Sequence, residues 1–121
     1  MYNKGPKTFT TGAAVTGKTL VKLSSGDVVA NTATNSDEPI GVALFDADSG
    51  AEVAVDLLAH GKTMEMTATG SISVGDKVYA AANGKIGTTS TNRRIGTALQ
   101  AASGDGSIIE VLPYDFLDSS S

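Results

Sequence analysis

The chain has 121 residues, which is the size of a single domain. It contains no cysteine, which excludes disulfide bonds and thiolate sites, and it has no Trp, three Phe and three Tyr. The net charge of −4 is divided unevenly, because residues 1–26 hold four lysines and no acid, whereas residues 27–121 hold five basic and thirteen acidic residues. An acidic body argues against extensive nucleic-acid binding, and four lysines make only a small basic patch.

The first residues of the chain show little periodicity and are interrupted by Gly5-Pro6. This pattern predicts an extended N-terminal arm over residues 1–12 that becomes ordered only when something holds it. Residues 1–23 contain no continuous apolar run, so we expect no signal peptide, no membrane span and synthesis in the cytoplasm.

Short alternating or β-branched runs, separated by turn residues, continue along the rest of the chain and predict strands. Asn83-Gly84 is a strong signal for a two-residue hairpin turn. We expect residues 86–94 to form a loop, and residues 99–103 have room for one helical turn. The predicted strands are Thr19–Leu23, Val28–Ala30, Ile40–Phe45, Val53–Leu57, Thr63–Thr67, Val78–Ala80, Ile95–Leu99 and Ile108–Leu112.

One phrase occurs twice in the chain. A Gly-Asp-x-Val turn starts at Gly26 and again at Gly75, and an Ile-Gly-x-Ala-Leu strand follows it at Ile40 and again at Ile95. We therefore expect pseudo-repeats over residues 26–57 and 75–112, inside one β domain of residues 13–113 with a tail of residues 114–121. The predicted fold is all-β, a small antiparallel barrel or tulip-like sandwich with an internal duplication.

One string satisfies the phosphate-binding pattern G-x-x-x-x-G-K-[ST], from Gly12 to Thr19. That loop has to leave a buried parallel strand and open a helix whose N-terminal amides hold the phosphates. Residues 1–11 predict no such strand, and residues 20–26 read as strand and turn. A nucleotide-binding loop is therefore the less favoured interpretation of this string.

The other candidates for chemistry are isolated. His60 is the only histidine, so neither a histidine metal cluster nor a catalytic triad with a second histidine is available. Asp46 and Asp48 resemble the start of a calcium loop, but the twelfth position from Asp46 is Leu57 and not an acid. Arg93 and Arg94 are candidates for contacts with a neighbouring subunit. We expect no catalytic residues, no metal and no cofactor.

The order of the repeated phrases resembles that of a known family. The chain is similar to the small capsid cement, or decoration, proteins of tailed bacteriophages, which are often labelled as a domain of unknown function or as phage recombinase-like. The segments that carry the resemblance are Ser25–Val29, Pro39–Ala43, Gly50–Leu57, Val74–Tyr79 and Arg94–Ala98.

The resemblance implies a structural protein that binds the outer surface of a tailed-phage capsid as a homotrimer and stabilises it by bridging coat subunits. The implied partners are the major capsid protein and further copies of the chain, with no nucleic acid and no membrane. The arm would supply the capsid contacts by adding a strand to the coat. The arm residues that we expect to make these contacts are Tyr2, Lys4, Lys7 and Phe9.

Two other functions are compatible with parts of the sequence. A small carbohydrate-binding or surface-adhesion module would suit a β domain of this size, but it calls for aromatic platforms, and the chain offers only Tyr2, Tyr79 and Tyr114 besides its three Phe. The nucleotide-binding loop is the other alternative.

Overall fold

The computed structural model of the protein describes residues 7–32, 38–58 and 63–113. These residues form ten short strands and one 3-10 turn, Ala82–Gly84. The strands are β1 (Lys7–Thr10), β2 (Leu20–Ser24), β3 (Asp27–Ala30), β4 (Gly41–Ala43), β5 (Glu52–Leu57), β6 (Met64–Thr67), β7 (Lys77–Ala80), β8 (Ile86–Gly87), β9 (Arg94–Ala98) and β10 (Ile108–Pro113).

The strands form two five-stranded antiparallel sheets with the same connectivity. The first half of the chain gives the order β1-β5-β4-β2-β3, and the second half gives β6-β10-β9-β7-β8. Each strand of the first half therefore has a counterpart in the second half at the same place in the sheet. The fold is all-β with an internal duplication, as the sequence predicts.

Each sheet curls until its two outer strands meet. In the first half Thr11 forms a parallel bridge with Val28, and in the second half Ala68 forms one with Ile86. Among the described residues, the outer strands of each sheet form one bridge pair, so each half is a partly closed barrel with a gap beside the bridge. In the first half the gap lies between β1 and the β2–β3 turn, and in the second half it lies between β6 and the β7–β8 turn.

Two hydrophobic clusters fill the halves. The smaller one lies on the concave face of the first sheet, around Val21, Ala43 and Val55. The larger one fills the second half and includes Leu20 and Val42, which project from the opposite face of the first sheet. The first half therefore packs its outer face against the core of the second half.

The repeated Ile-Gly pairs have a common packing role. A Cβ atom at Gly41 would overlap the carbonyl oxygen of Asp56, and one at Gly96 would overlap that of Leu112. Glycine is required at both places because the neighbouring strand, β5 or β10, passes directly over it.

The two Gly-Asp pairs lie at different places in the halves. Gly26 is in the turn between β2 and β3, whereas Gly75 precedes β7, which is the counterpart of β2. The counterpart of Gly26 is Gly84, since both are the second residue of a two-residue turn with positive φ, 89° and 76°. The halves of the structure begin at β1 and β6, ahead of residues 26 and 75.

Two expectations for the second half are wrong. Residues 86–94 do not form a loop throughout, because Ile86–Gly87 is β8, the second strand of the hairpin that Asn83-Gly84 turns, and Arg94 is the first residue of β9. Residues 99–103 hold no helical turn, since Ala102 instead forms an antiparallel bridge with Ile72. The hairpin turn itself is confirmed, with φ of 61° at Asn83.

Part of the predicted arm is a strand of the first sheet. Lys7–Thr10 pairs with β5 from Lys7 opposite Val55 to Thr10 opposite Glu52. For these residues, β5 is what holds the extended chain. Residues 1–6 lie outside the described part of the chain, as do the tail from residue 114 and His60. Among the described residues, no helix is long and apolar enough to cross a membrane.

Candidate interaction surface

The string from Gly12 to Thr19 does not form a phosphate-binding loop. A strand does precede it, contrary to expectation, but β1 is an outer antiparallel strand and not a buried parallel one. The string then leads through a turn into strand β2, so no helix N-terminus is present to hold phosphates.

The amide groups of the string are also occupied within the protein. The N–H of Val15 donates to the carbonyl oxygen of Ala47 at 2.9 Å, and the N–H of Lys18 donates to that of Ala43 at 2.6 Å. The N–H of Gly17 donates to Oδ1 of Asp46 at 2.7 Å. The side chain of Lys18 lies 3.2 Å from Oε1 of Glu65, on the second half. The string is a structural connection between strands and between the two halves.

The acidic turn of residues 46–50 also has a structural role. Oδ1 of Asp46 accepts the bond from Gly17, and the carbonyl oxygen of Asp48 accepts one from Oγ1 of Thr11 at 2.5 Å. Across residues 7–32, 38–58 and 63–113, no group of three or more His, Asp or Glu side chains is placed to hold a metal ion. The acidic turn ties the β4–β5 connection to the segment before β2.

A cavity of about 380 Å³ lies where the segment before β2 meets the second half. Its only charged lining residue is Lys85, whose Nζ donates to Oδ1 of Asp105 at 2.8 Å. The lining therefore offers hydroxyl, amide and methyl groups, and none of its side chains forms a pair of nucleophile and general base. The lining residues are Ala14, Val15, Thr16, Thr19, Ala30, Thr67, Asn83 and Lys85.

Of the four arm residues expected to make capsid contacts, Tyr2 and Lys4 lie outside the described residues. Lys7 and Phe9 lie on β1, on the side that faces the first cluster. Lys7 is exposed, whereas Phe9 is half-buried and packs against the first cluster. Lys7 is thus available at the surface, and Phe9 already contributes part of its ring to the core.

Arg93 and Arg94 lie at the start of β9 and are half-buried. The carbonyl oxygen of Arg93 accepts a bond from the N–H of Ala80 at 2.8 Å, so this residue is held against β7. Arg94 stands opposite Tyr79, and its Nη2 donates to Oγ1 of Thr97 at 3.4 Å. The two arginines belong to the second sheet and are not brought together with Lys7 or Phe9 by any described contact.

Sequence reasoning missed a set of exposed apolar side chains. Leu23 lies on the same face of β2 as the buried Val21, yet it is 51% exposed at the end of the strand. Phe45 and Val74 are 67% and 66% exposed, each in a connection next to a strand. The position of Leu23 directly before the Ser24-Ser25-Gly26 turn is the signal that could have indicated a rim residue.

The described part of the chain is thus a duplicated β body whose polar groups are used to hold strands together and whose apolar groups are partly exposed. These features describe a small β protein with an internal duplication. The chain belongs to the phage cement protein family, because the model of that family, described as "Phage cement protein", matches residues 3–113. The family associates with the phage capsid, so the protein has a structural, capsid-associated role.

A solved structure has a similar fold. The crystal structure of the N base of head fiber gp8.5 in bacteriophage phi29 superimposes with a TM-score of 0.72 and 22% sequence identity. The match covers 90% of this chain and 92% of the phi29 chain. At this identity the likeness concerns the fold. No curated protein matches the chain.

Proposed function

We propose that the protein binds the outer surface of a tailed-phage capsid and stabilises the shell by bridging neighbouring coat subunits. The observation that carries this proposal is the match of residues 3–113 to the phage cement protein family. The major capsid protein is the partner, and the protein acts on the virion after synthesis in the host cytoplasm. It acts without a cofactor and without catalysis.

The build of the body supports a bridging role. The strand β1 lies at the outside of its sheet, and among the described residues Lys7–Thr10 forms its strand ladder with β5 alone. An outer strand can accept a further strand from a partner, because main-chain hydrogen bonds give affinity with little demand on sequence. A coat strand that pairs with β1 would then extend the first sheet of the body.

The arm adds a second kind of contact. Tyr2 supplies apolar area, and Lys4 and the exposed Lys7 meet acidic side chains of coat subunits. Phe9 contributes the exposed part of its ring, since the remainder packs against the first cluster. The four residues together form a basic, partly aromatic strip at the beginning of the chain.

Assembly as a homotrimer multiplies these contacts. Three copies held together convert weak single-site binding into a much tighter interaction through effective concentration. Arg93 and Arg94 are the proposed contact with a neighbouring copy, where their guanidinium groups pair with acidic side chains of the partner. Light scattering of the free protein tests this assembly, and a monomer at all concentrations, free and on shells, contradicts it.

The function is tested on empty coat shells of the source phage that lack this protein. Adding the purified chain should produce knobs on the outer surface in electron micrographs and raise the temperature at which the shells break. An unrelated β protein of similar size and charge serves as the control. Shells that show neither added density nor a higher breaking temperature at saturating protein contradict the proposal.

A further inference from the structure

The internal duplication allows each residue of the first half to be compared with its counterpart in the second. Val21 lies opposite Gly41 as Val78 lies opposite Gly96, which fixes the register of the comparison. Beside the gaps, the register of the comparison is fixed by the parallel bridges and the two-residue turns. The counterparts around the gaps are Thr10 and Thr67, Leu23 and Ala80, and Gly26 and Gly84.

In the second half, the gap between β6 and the β7–β8 turn is filled by the first half. The N–H of Thr67 donates to the carbonyl oxygen of Lys18 at 2.8 Å, and the N–H of Gly84 donates to that of Asn31 at 2.8 Å. A Cβ at Gly84 would lie 2.5 Å from the carbonyl oxygen of Leu20. The turn therefore lies directly on the backbone at the start of β2.

Aliphatic side chains complete this seal. Leu20 and Val42 are 0% and 1% exposed and belong to the cluster that fills the second half. Their burial removes apolar area from water on both sides of the contact. What closes the second gap is thus an extended β surface that offers two backbone carbonyl groups and two aliphatic side chains.

The gap in the first half is not filled by any residue that the structure describes. Thr10 and Gly26 are exposed, and within the described chain no further atom lies within 4 Å of a Cβ placed on Gly26. Leu23 is 51% exposed, whereas its counterpart Ala80 is 1% exposed. At this place the second half is hydrogen-bonded to the first, beside the cavity lined by Thr67 and Asn83, whereas the first half leaves Leu23 exposed.

The open gap presents the same backbone donor as the sealed one. Thr10 stands opposite Glu52 on β5 as Thr67 stands opposite Ile108 on β10. Because the N–H of Thr67 points away from β10 toward Lys18, the N–H of Thr10 points away from β5 into the open gap. The second half uses the same outward N–H, there beside the buried Ala80, to receive the first half.

We propose that the gap bounded by Thr10, Leu23 and Gly26 is the docking site for an extended segment of the coat protein. The segment carries aliphatic side chains and offers backbone carbonyl oxygens to the gap, as Lys18 and Asn31 do in the second half. This inference rests on the capsid-binding function proposed above and names the surface that performs it.

The charges of the two halves favour a different protein over a second copy as the occupant. In the second half, the counterparts of Leu20 and Val42 are Lys77 and Thr97. A second copy that docked by its second half would have to bury the ammonium group of Lys77, which is costly without a partner.

The charges around the open gap are of both signs. The exposed Lys7 occupies the place of Met64, which is 4% exposed in the second half. Glu52 lies opposite Thr10, and Asp27 follows Gly26. The occupant is therefore described by its extended backbone and its aliphatic side chains and not by a charge of one sign.

Single-cysteine variants test the site directly, because the chain has no cysteine of its own. Thr10→Cys places a thiol in the gap, and Ser103→Cys places one on an exposed turn of the second half as a control. Alkylation rates are measured with and without empty coat shells of the source phage. With shell sites at ten times Kd, alkylation at position 10 should slow by about tenfold and that at position 103 should not change.

A pair of leucine variants measures the contribution of the apolar rim. Leu23→Asp should weaken binding to the same shells by about 10- to 100-fold, because it removes the burial of a leucine side chain. Leu112→Asp is the matched control, since Leu112 is 40% exposed on a strand of the second half and lies away from the gap. Its affinity for the shells should equal that of the parent protein.

The outcomes separate this inference from the proposed function. If the parent protein binds shells while the thiol of the Thr10→Cys variant stays fully reactive or Leu23→Asp binds equally well, the docking site is elsewhere and the function stands. If the parent protein does not bind shells, both proposals fail. Protection of the thiol at position 10 in the free variant also overturns the inference. The occupant is then a second copy if that protection depends on concentration, and the chain itself if it does not.

Discussion

Thr67 is bonded twice to the carbonyl oxygen of Lys18, through its N–H at 2.8 Å and through its Oγ1 at 2.8 Å. This pair joins the end of β6 to the segment before β2 and so connects the two halves at the sealed gap. Thr67 is 8% exposed, so both of its donors are largely removed from water and depend on this one oxygen.

The substitution Thr67→Val keeps the shape of the side chain and the backbone bond but removes the hydroxyl donor. We expect the free energy of unfolding to fall by about 0.5–1.5 kcal/mol, the net value of a typical hydrogen bond. Urea denaturation of the parent and the variant measures this difference.

Thr63→Val is the control for that substitution. Oγ1 of Thr63 donates to Oε2 of Glu110 at 2.8 Å, but the bond is exposed. Water can replace it, so we expect a change of no more than about 0.5 kcal/mol. Equal losses of unfolding free energy in the two variants would show that the buried bond between the halves contributes no more than the exposed one.

The repeated glycines predict a larger effect. Gly96→Ala would drive a Cβ into the carbonyl oxygen of Leu112, and Gly41→Ala would do the same at Asp56. Since the obstructing atoms are backbone and cannot rotate away, we expect each variant to lose about 3 kcal/mol or more of stability. Thermal and urea unfolding measure the loss, and soluble yield gives a first indication.

Gly70→Ala is the matched control for the glycine variants. No described atom lies within 4 Å of a Cβ at Gly70, so we expect its unfolding free energy to stay within about 0.5 kcal/mol of the parent's. If Gly96→Ala unfolds at the same urea concentration as Gly70→Ala, strand β10 does not pass over Gly96 as the structure has it.

These glycines also show what the sequence could reveal. The Ile-Gly phrase is repeated because Gly41 and Gly96 both lie against the backbone of the neighbouring strand, where a Cβ atom would not fit. The same packing constraint in the two halves therefore gives the same residues in the sequence. The Gly-Asp phrase has no such basis, since Gly26 and Gly75 lie in different turns. Strands with several alternating residues were predictable, whereas the two residues Ile86–Gly87 are too short to show alternation.

The relation between the halves could not be predicted from the sequence. Leu20 and Leu23 lie on one short strand and both look like core residues, yet one is fully buried and the other is half exposed. The difference arises because Leu20 packs into the second half and Leu23 faces an open gap. Neither fact follows from periodicity, which reports the two faces of a strand but not what lies against each face.

This contrast supports a third prediction. Leu20→Ala should lower the free energy of unfolding by about 2–5 kcal/mol, because it removes a buried side chain and leaves a cavity between the halves. Leu23→Ala, on the same strand, should cost no more than about 1 kcal/mol, since half of its side chain is already in water. Urea denaturation measures both, and comparable losses would mean that the halves do not share a core.

The strand β1 and the residues that precede it should contribute differently to the stability of the protein. Deleting residues 1–10 removes β1 and exposes one face of Val53 and Val55, which are 4% and 0% exposed. Losing the burial of two valines should cost about 3 kcal/mol or more. Deleting only residues 1–6 leaves β1 in place, and we expect the free energy of unfolding to change by less than about 1 kcal/mol.

On coat shells the shorter deletion should have a different effect. It removes Tyr2 and Lys4, so we expect weaker binding of a protein whose stability is unchanged. A higher salt concentration should lower the affinity of the parent protein for the shells only in part, because salt screens the contacts of Lys4 and Lys7 but not the apolar contacts. Affinity is measured by co-sedimentation with empty shells at low and high salt. If the variant without residues 1–6 binds the shells as tightly as the parent protein, the body alone docks on the capsid. The assignment of Tyr2 and Lys4 to the contact is then wrong.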